Sequence, residues 1–429
     1  MPDPNLYTSR REFISGGLTL LSTAGTLPLF LGHTLQALAA DDPTPKKKDD
    51  SQRILVVIQL AGGNDGLNMI VPCEMDAYYR ARKQIAIAKK DALPLKDGFA
   101  LHPSATGLKE LFDAGQLAVV HGVGYPNPNR SHFTSTDIWA TADPQQRTNS
   151  GWLGRYFDAC CSGTDPDPEP IKGIALNDET PLAMSGDRFM PLAFENPDSL
   201  SWRAGGKDAK ANEIFRKLNN IDGELPEGAK GHAAFLQRAA LKAQISADQI
   251  KAATGSNIGA RRQGLFDRGG GLGRNLQMVA RMIAADLPTK VYYVSMGGFD
   301  THTGQQGRHQ RLMTELGNSI KTFYDELAEH KLADRVLLMT FSEFGRRVEE
   351  NASGGTDHGE AAPLILAGPK VIGGMHEKFP AMDELHRGDL AFTTDFRRVY
   401  ATVLDQWLKL PSKKVLTQGF QPLRVIKSV

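Results

Sequence analysis

The feature that most constrains the fold is a series of short, almost entirely apolar runs separated by longer amphipathic stretches. The runs 54–60, 291–295 and 336–341 are rich in aliphatic and aromatic residues, and each carries only one polar residue. A strand that is apolar at nearly every position is buried on both faces, which is the setting of parallel strands covered by helices. The sequence therefore predicts an α/β fold with a mostly parallel sheet and helices on both faces.

Further elements continue this alternation. Strands are predicted at 117–121, 171–175 and 363–367, and helices at 208–253, 273–285, 309–332 and from Thr394–Asp395 to about residue 408. Together they predict one α/β/α domain over residues 53–429, with a helical insertion at about 205–286 and a charged linker at 40–52.

The N-terminal segment predicts export. Arg10 and Arg11 precede an apolar stretch at 14–35, and residues 37–39 (Ala-Leu-Ala) are small enough for a signal peptidase. Residues 1–39 are therefore predicted to be a twin-arginine signal peptide, with the twin-arginine translocase as partner and a periplasmic or secreted destination. Glycines and a proline interrupt the apolar stretch, so no stable membrane span is expected after cleavage.

The charge balance and the cysteine count bear on possible partners and on disulfide bonds. Lys plus Arg total 50 and Asp plus Glu total 49, so there is no electrostatic case for nucleic acid as a partner. The three cysteines, Cys73, Cys160 and Cys161, are an odd number and cannot form a complete disulfide framework. The adjacent pair could ligate a metal or bond to Cys73, but small, partly buried residues are the favoured interpretation.

Two short segments late in the chain place a carboxylate beside an imidazole. Asp300 and His302 follow the run 291–295, and Asp357 and His358 lie downstream of the run 336–341. Asp and neutral His are ligands for zinc and similar divalent ions, and ligands gather at the carboxyl ends of parallel strands. The pair of clusters predicts a metal site, although each cluster alone could be an ordinary turn.

Asp65, in the Gly-rich turn after the first run, is a third candidate carboxylate. The alternative is that Asp65 is simply a usual turn residue.

A hydroxyl-rich segment could supply a nucleophile. Arg130, Ser131 and His132 stand where a loop is expected to enter a helix, followed by hydroxyls at 134–136. As catalytic candidates, Ser131 would be the nucleophile, Arg130 a nearby cation and His132 a possible base. A hydroxyl at a helix start can attack a substrate while backbone N–H groups stabilise the developing anion. Capping of the helix explains at least one of these hydroxyls equally well.

Glu343 and Arg346 follow the run 336–341. They could be a metal or substrate carboxylate and an anion clamp, or they could form a structural ion pair.

Five ordered motifs together resemble a known family. They are AGGNDGLN at 61–68, NRSHF at 129–133, GFDTH at 298–302, SEFGR at 342–346 and GGTDHG at 354–359. The set is similar to the DUF1501 family, exported bacterial proteins of uncharacterised function, which in turn resembles the alkaline phosphatase and sulfatase superfamily. The resemblance implies an alkaline-phosphatase-like, three-layer α/β/α sandwich.

The resemblance also implies roles for particular residues. Asp65 would be the acid after the first strand, and Ser131 or a neighbouring hydroxyl the nucleophile. Asp300 with His302, and Asp357 with His358, would be the later ligands of a divalent metal ion such as zinc, manganese or calcium.

Two departures from the superfamily pattern bear on the metal site. The usual Asp-x-x-x-His spacing is Asp300-x-His302 here, with His309 the only other histidine close behind. No final histidine ligand stands in a recognisable motif, although His376 and His386 lie in the right direction. The site could therefore hold one ion, a rearranged pair or none.

The expected function is metal-dependent hydrolysis of a phosphate or sulfate ester, with a small anionic ester as substrate and Arg130 or Arg346 neutralising its charge. The alternative is a non-catalytic binding or assembly component of a cell-envelope complex on a degenerate hydrolase fold. If the sheet is parallel, one cleft should contain all the proposed site residues: Asp65, Ser131, Asp300, His302, Asp357 and His358.

Overall fold

The computed structural model describes residues 53–160, 170–200, 210 and 246–428. The predicted signal peptide and linker, Cys161 and about half of the predicted helical insertion (205–209 and 211–245) lie outside the described residues.

Twelve strands form two sheets in the described part of the chain. They are β1 (Ile54–Leu60), β2 (Ile70–Pro72), β3 (Leu93–Pro94), β4 (Phe99–Leu101), β5 (Leu117–Gly124), β6 (Gly173–Leu176), β7 (Leu192–Ala193), β8 (Val291–Met296), β9 (Val336–Phe341), β10 (Ala362–Ala367), β11 (Gly374–His376) and β12 (Thr394–Asp395). β2, β3 and β4 form a small antiparallel sheet, and the other nine strands form the central sheet.

The central sheet is mostly parallel, as predicted. Its order is β11-β5-β10-β9-β1-β8-β6-β7, with β12 also paired to β5. β10 is antiparallel to both β5 and β9, and the other pairings are parallel. The amino end of β10 therefore lies at the same edge as the carboxyl ends of β5, β9, β1 and β8.

Helices cover the sheet on both faces. They are α1 (Gly66–Met69), α2 (Asp76–Ala81), α3 (Thr106–Asp113), α4 (His132–Thr141), α5 (Trp152–Cys160), α6 (Gln263–Arg268), α7 (Gly270–Ala284), α8 (Gln305–Glu329) and α9 (Phe396–Thr402). No helix of the described residues is both long and apolar enough to cross a membrane.

The side chains of β1 alternate between two hydrophobic cores, which explains its nearly continuous apolar sequence. Val56 and Ile58 belong to a core shared with α3, α7 and α8, while Leu55 and Val57 belong to a core shared with α4, α5 and α9. Gln59 is half-buried, and its side-chain oxygen accepts a hydrogen bond from the hydroxyl of Tyr293 at 2.8 Å. The sheet is thus the middle layer of three, as the α/β/α prediction requires.

Predicted and observed boundaries agree closely where the pattern is strong. The runs 54–60 and 336–341 are β1 and β9 without change, and the helix predicted at 309–332 is α8. Asp395 is the N-cap of α9, and its side chain accepts from the backbone N–H of Arg397. A π-helical turn, Val403–Trp407, continues α9 to the predicted end.

Candidate metal centre

The sheet topology brings three loops together at one edge. Asp300 and His302 follow β8, and the segment with Asp357 and His358 leads into β10. His132 is the first residue of α4, which comes after β5. All these loops lie at the edge where the carboxyl ends of the parallel strands and the amino end of β10 meet.

Three side chains form a group that could hold a metal ion. His132, Asp300 and His358 each offer one ligand atom, and these atoms lie within 4.8 Å of one another. Nε2 of His358 lies 3.4 Å from Oδ1 of Asp300, and Nε2 of His132 lies 3.7 Å from Oδ2. His302 adjoins the group, because its Nε2 is 3.1 Å from Oδ1 of Asp300 and 2.9 Å from Nε2 of His358.

The outer nitrogen of each imidazole faces an oxygen acceptor. Nδ1 of His132 lies 2.8 Å from Oε1 of Glu343, and Nδ1 of His302 lies 2.9 Å from Oδ1 of Asp357. Nδ1 of His358 lies 2.8 Å from the carbonyl oxygen of Arg130. Because each of these oxygens can accept, each Nδ1 is placed to donate, and a ring whose one proton is on Nδ1 presents an Nε2 lone pair.

This arrangement fits a divalent cation. If His302 and His358 each carry a single proton on Nδ1, their Nε2 lone pairs face each other across 2.9 Å, which is repulsive unless a proton or a cation lies between them. A carboxylate stands against the same atoms. Imidazole nitrogens backed by oxygen acceptors, together with one carboxylate, are a donor set typical of zinc and similar ions.

The protonation states favour metal binding as well. Burial lowers the pKa of His358, so its ring is neutral near pH 7. Burial raises the pKa of Asp300, but the hydrogen bond and charge of Arg346 outweigh it and hold the pKa below the ordinary value. The hydrogen bonds from His302 and Asn351 lower the pKa of Asp357. Both carboxyl groups are therefore ionised near neutral pH.

Arg346 connects the loops around the group. Its guanidinium is fully buried, lies 2.7 Å from Oδ1 of Asp300, and donates to backbone carbonyls of the loops after β1 and β8 and of Thr356. Burial leaves Arg346 out of reach of a substrate, so its contacts favour a role in positioning Asp300.

Arg130 is partly exposed, and its guanidinium pairs with Asp389 and Glu360.

Asp65 is not one of the three side chains of the metal group and has other partners. Its side chain is fully buried and forms an ion pair with Arg82, 2.6 Å from Nη1 to Oδ2. Asp65 also accepts from the side-chain amide of Gln305 and from the backbone N–H of Leu67 at the start of α1. Burial raises its pKa, but Arg82 outweighs burial and the pKa is lowered.

The hydroxyls of the segment 131–136 differ in surroundings. Ser131 is exposed and is the N-cap residue of α4, but its side chain makes no capping hydrogen bond. Ser135 is buried and bonded to the hydroxyl of Tyr125 and the carbonyl of Glu343. Of these two hydroxyls, Ser131 is the accessible one and stands directly before His132.

The other candidate histidines do not join the group. His309 is fully buried against Asn64, His376 bonds to the carbonyl of Ile372, and His386 bonds to Glu360. Sequence reasoning gave His132 a catalytic role, whereas the structure places it among the potential ligands. The side-chain amide of Asn351 donates a hydrogen bond to Asp357. No motif in the sequence predicted this contact, because it depends on how the turn between the two residues folds.

Comparison with protein families gives one match. The profile described as "Protein of unknown function (DUF1501)" matches residues 52–419. A comparison with curated proteins gave no match.

Several solved structures resemble the chain in part. The C-terminal periplasmic domain of EcEptC from Escherichia coli, in complex with Zn, has a TM-score of 0.33 and 10% identity, with 77% of each chain covered. The PsFucS1 sulfatase from Pseudoalteromonas sp. has a TM-score of 0.36 and 10% identity, with 87% of this chain and 71% of the other covered. The phosphoethanolamine transferase EptA from Neisseria meningitidis has a TM-score of 0.32 and 10% identity, with 84% and 55% covered. Likenesses at this level carry no argument about chemistry, so function is argued from the side chains.

Proposed function

Because the chain belongs to the DUF1501 family, whose description assigns no activity, we propose from the site itself that it is a metal-dependent hydrolase of phosphate or sulfate esters. The observation that carries this proposal is the convergence of His132, Asp300 and His358, with the outer nitrogen of each imidazole held by an oxygen acceptor.

These three residues would hold the ion, with His302 beside them. Nitrogen donors favour zinc over calcium, which takes oxygen ligands only. A bound divalent ion would polarise an ester oxygen and lower the pKa of a nearby hydroxyl or water. The metal side chains are partly exposed, Asp300 at 50%, so a small anionic ester could approach them from solvent.

The start of α4 would contribute the remaining chemistry. Ser131 offers an exposed hydroxyl, and its side chain does not occupy the free backbone N–H groups of the first helical turn. Those N–H groups can donate to an anionic ester or to charge that develops during attack. Arg130 is 35% exposed and adds positive charge nearby, although Asp389 and Glu360 share it.

A second candidate is a binding or assembly role without catalysis. Asp65, the predicted acid after the first strand, is occupied by Arg82. Within the described residues, only one group of three metal-ligating side chains is found. One ion without a second set of ligands would suit a structural or ligand-binding site as well as a hydrolytic one.

Metal content and hydrolysis separate the two candidates. The purified protein should contain about one equivalent of zinc by mass spectrometry and should hydrolyse an aryl phosphate or aryl sulfate. His358→Ala should lose both, and the control His376→Ala, whose ring bonds to the carbonyl of Ile372, should keep both. Bound metal without hydrolysis would support the binding role, and no bound metal would reject the proposed centre.

Export through the twin-arginine route is part of the same proposal. Arg10 and Arg11 head the predicted signal peptide. Replacing both by Lys should leave the precursor in the cytoplasm, as seen by fractionation. Normal accumulation of the double variant outside the cytoplasm would reject this route.

A further inference from the structure

We infer that Glu343 fixes the tautomer of His132 and thereby sets the metal affinity of the centre; this inference rests on the proposed function. Oε1 of Glu343 lies 2.8 Å from Nδ1 of His132, and the same atom accepts from the backbone N–H of Gly62 at 2.8 Å. A carboxylate oxygen can only accept here, so the His132 proton is held on Nδ1 and Nε2 faces Asp300.

The position of Glu343 is rigid. It follows β9, its side chain is 3% exposed, and its neighbour Ser342 bonds to the loop after β1 at the backbone N–H of Asn64. The ring of His132 also packs against Phe344 at a centroid distance of 4.9 Å. The carboxylate and the ring therefore meet in one defined geometry.

The Glu343 carboxylate is buried with few side chains that could compensate its charge. Among the described residues, the only cationic or titratable side chain in ion-pair distance of this buried carboxylate is His132. A buried carboxylate is costly unless it is paired. A cation bound at Nε2 of His132 would compensate the charge through the ring, and the carboxylate in turn makes that nitrogen a better donor.

The oxygen acceptors that face His302 and His358 should influence metal binding less than Glu343 does. Asp357, which faces His302, is 54% exposed, so water screens its charge. The acceptor for His358 is the uncharged carbonyl of Arg130. Glu343 is therefore the acceptor whose removal should change metal binding most.

The experiment compares zinc affinities by competition with a chromophoric chelator. Glu343→Ala should weaken zinc binding 10- to 100-fold, the range seen when supporting acceptors of ligand histidines are removed. Glu343→Gln should stay within a few-fold of wild type, because its amide oxygen can still accept from both donors. Glu326→Gln is the matched control: Glu326 is also a buried glutamate bonded to a backbone N–H and a histidine, but it lies near the far end of α8. It should leave zinc affinity unchanged.

A second measurement reports the tautomer without any metal. In metal-free protein with ¹⁵N-labelled histidine, the His132 ring should carry its proton on Nδ1, both in the wild type and in Glu343→Gln. An Nε2-protonated ring in the wild type would overturn the inference, as would folded Glu343→Ala that binds zinc as tightly as wild type. Wild-type protein that binds no zinc would instead reject the proposed function, and the ring tautomer would still test the role of Glu343.

Discussion

Two aspartates that the sequence treats alike lie in opposite surroundings. Asp65 and Asp300 follow β1 and β8, which are neighbours in the sheet, and both were predicted to bind metal. Asp65 is fully buried against Arg82, whereas Asp300 is half exposed among imidazoles. Both carboxyl groups have lowered pKa values, so charge alone does not distinguish them.

The difference lies in what the neighbours offer. Asp65 is surrounded by donors, from Arg82, Gln305 and the backbone of α1, which use up its oxygen lone pairs. Asp300 has Arg346 on one oxygen, and beside it lie the Nε2 atoms of His302 and His358, which can present lone pairs to a cation. Donors complete a structural ion pair, while converging acceptors leave a site for a cation. An aspartate at a strand end is therefore a metal candidate only when its neighbours are also acceptors.

The largest expected effect follows from breaking the buried pair. Arg82→Met leaves the Asp65 charge uncompensated and removes bonds to Asn68 and Val348, so the free energy of unfolding should fall by about 3–5 kcal/mol. Chemical denaturation measures this. Arg80→Ala, an exposed neighbour on α2, is the control and should stay within about 0.5 kcal/mol of wild type. If the free energy of unfolding of Arg82→Met fell by less than about 1 kcal/mol, the Asp65–Arg82 ion pair would not be important for stability.

The same region should make the protein sensitive to acid. Burial lowers the pKa of His309, which contacts Asn64 beside Asp65, from 6.5 to about 4. Stability from the neutral ring is fully present above pH 6.5 and falls as the pH drops toward 4, because only the unfolded chain takes up the proton in that range. At about 1.4 kcal/mol per pH unit, this amounts to roughly 3 kcal/mol. His309→Gln should flatten the dependence measured by denaturation at several pH values, and an unchanged slope would contradict it.

Zinc should stabilise only through the Asp300 region. At a free concentration 100 times its dissociation constant, a ligand that binds the folded state alone adds about 2.7 kcal/mol. Wild-type protein should show this gain in thermal unfolding, and His358→Ala should not. Asp65→Asn, if folded, should keep the gain, because Asp65 lies outside the metal group. If Asp65→Asn lost the stabilisation by zinc, Asp65 and Asp300 would belong to one site.

The sequence predicted the fold well because strand burial depends on local composition. β1 and β9 were placed without error, and the parallel sheet then predicted that Asp300 and His358 would meet. The pairing of Asp65 with Arg82 could not be predicted in the same way. Its partner Arg82 is 17 residues away, just after α2, and nothing in the local sequence indicates that this arginine folds back beneath the loop.

The assignment of His132 marks a second limit. Its place at a helix start was predicted, but its role depends on which atom its ring turns toward Asp300, and that depends on Glu343, 211 residues later in the chain. Residue type and spacing give the members of a site, whereas tautomer and direction come from such long-range contacts.

The smallest effect on stability is expected at Ser131, where the two kinds of helix start in this protein can be compared. Asp395 caps α9 with a side-chain hydrogen bond, 2.9 Å from the backbone N–H of Arg397, and Asp395→Ala should cost about 1 kcal/mol. Ser131 makes no such bond at α4, so Ser131→Ala should cost less than about 0.5 kcal/mol and leave zinc content unchanged. If Ser131 is the nucleophile, the same variant should abolish hydrolysis of an aryl phosphate or sulfate. Full activity of Ser131→Ala, in a protein that still binds zinc, would assign the attack to water and leave the exposed hydroxyl without a role in the reaction.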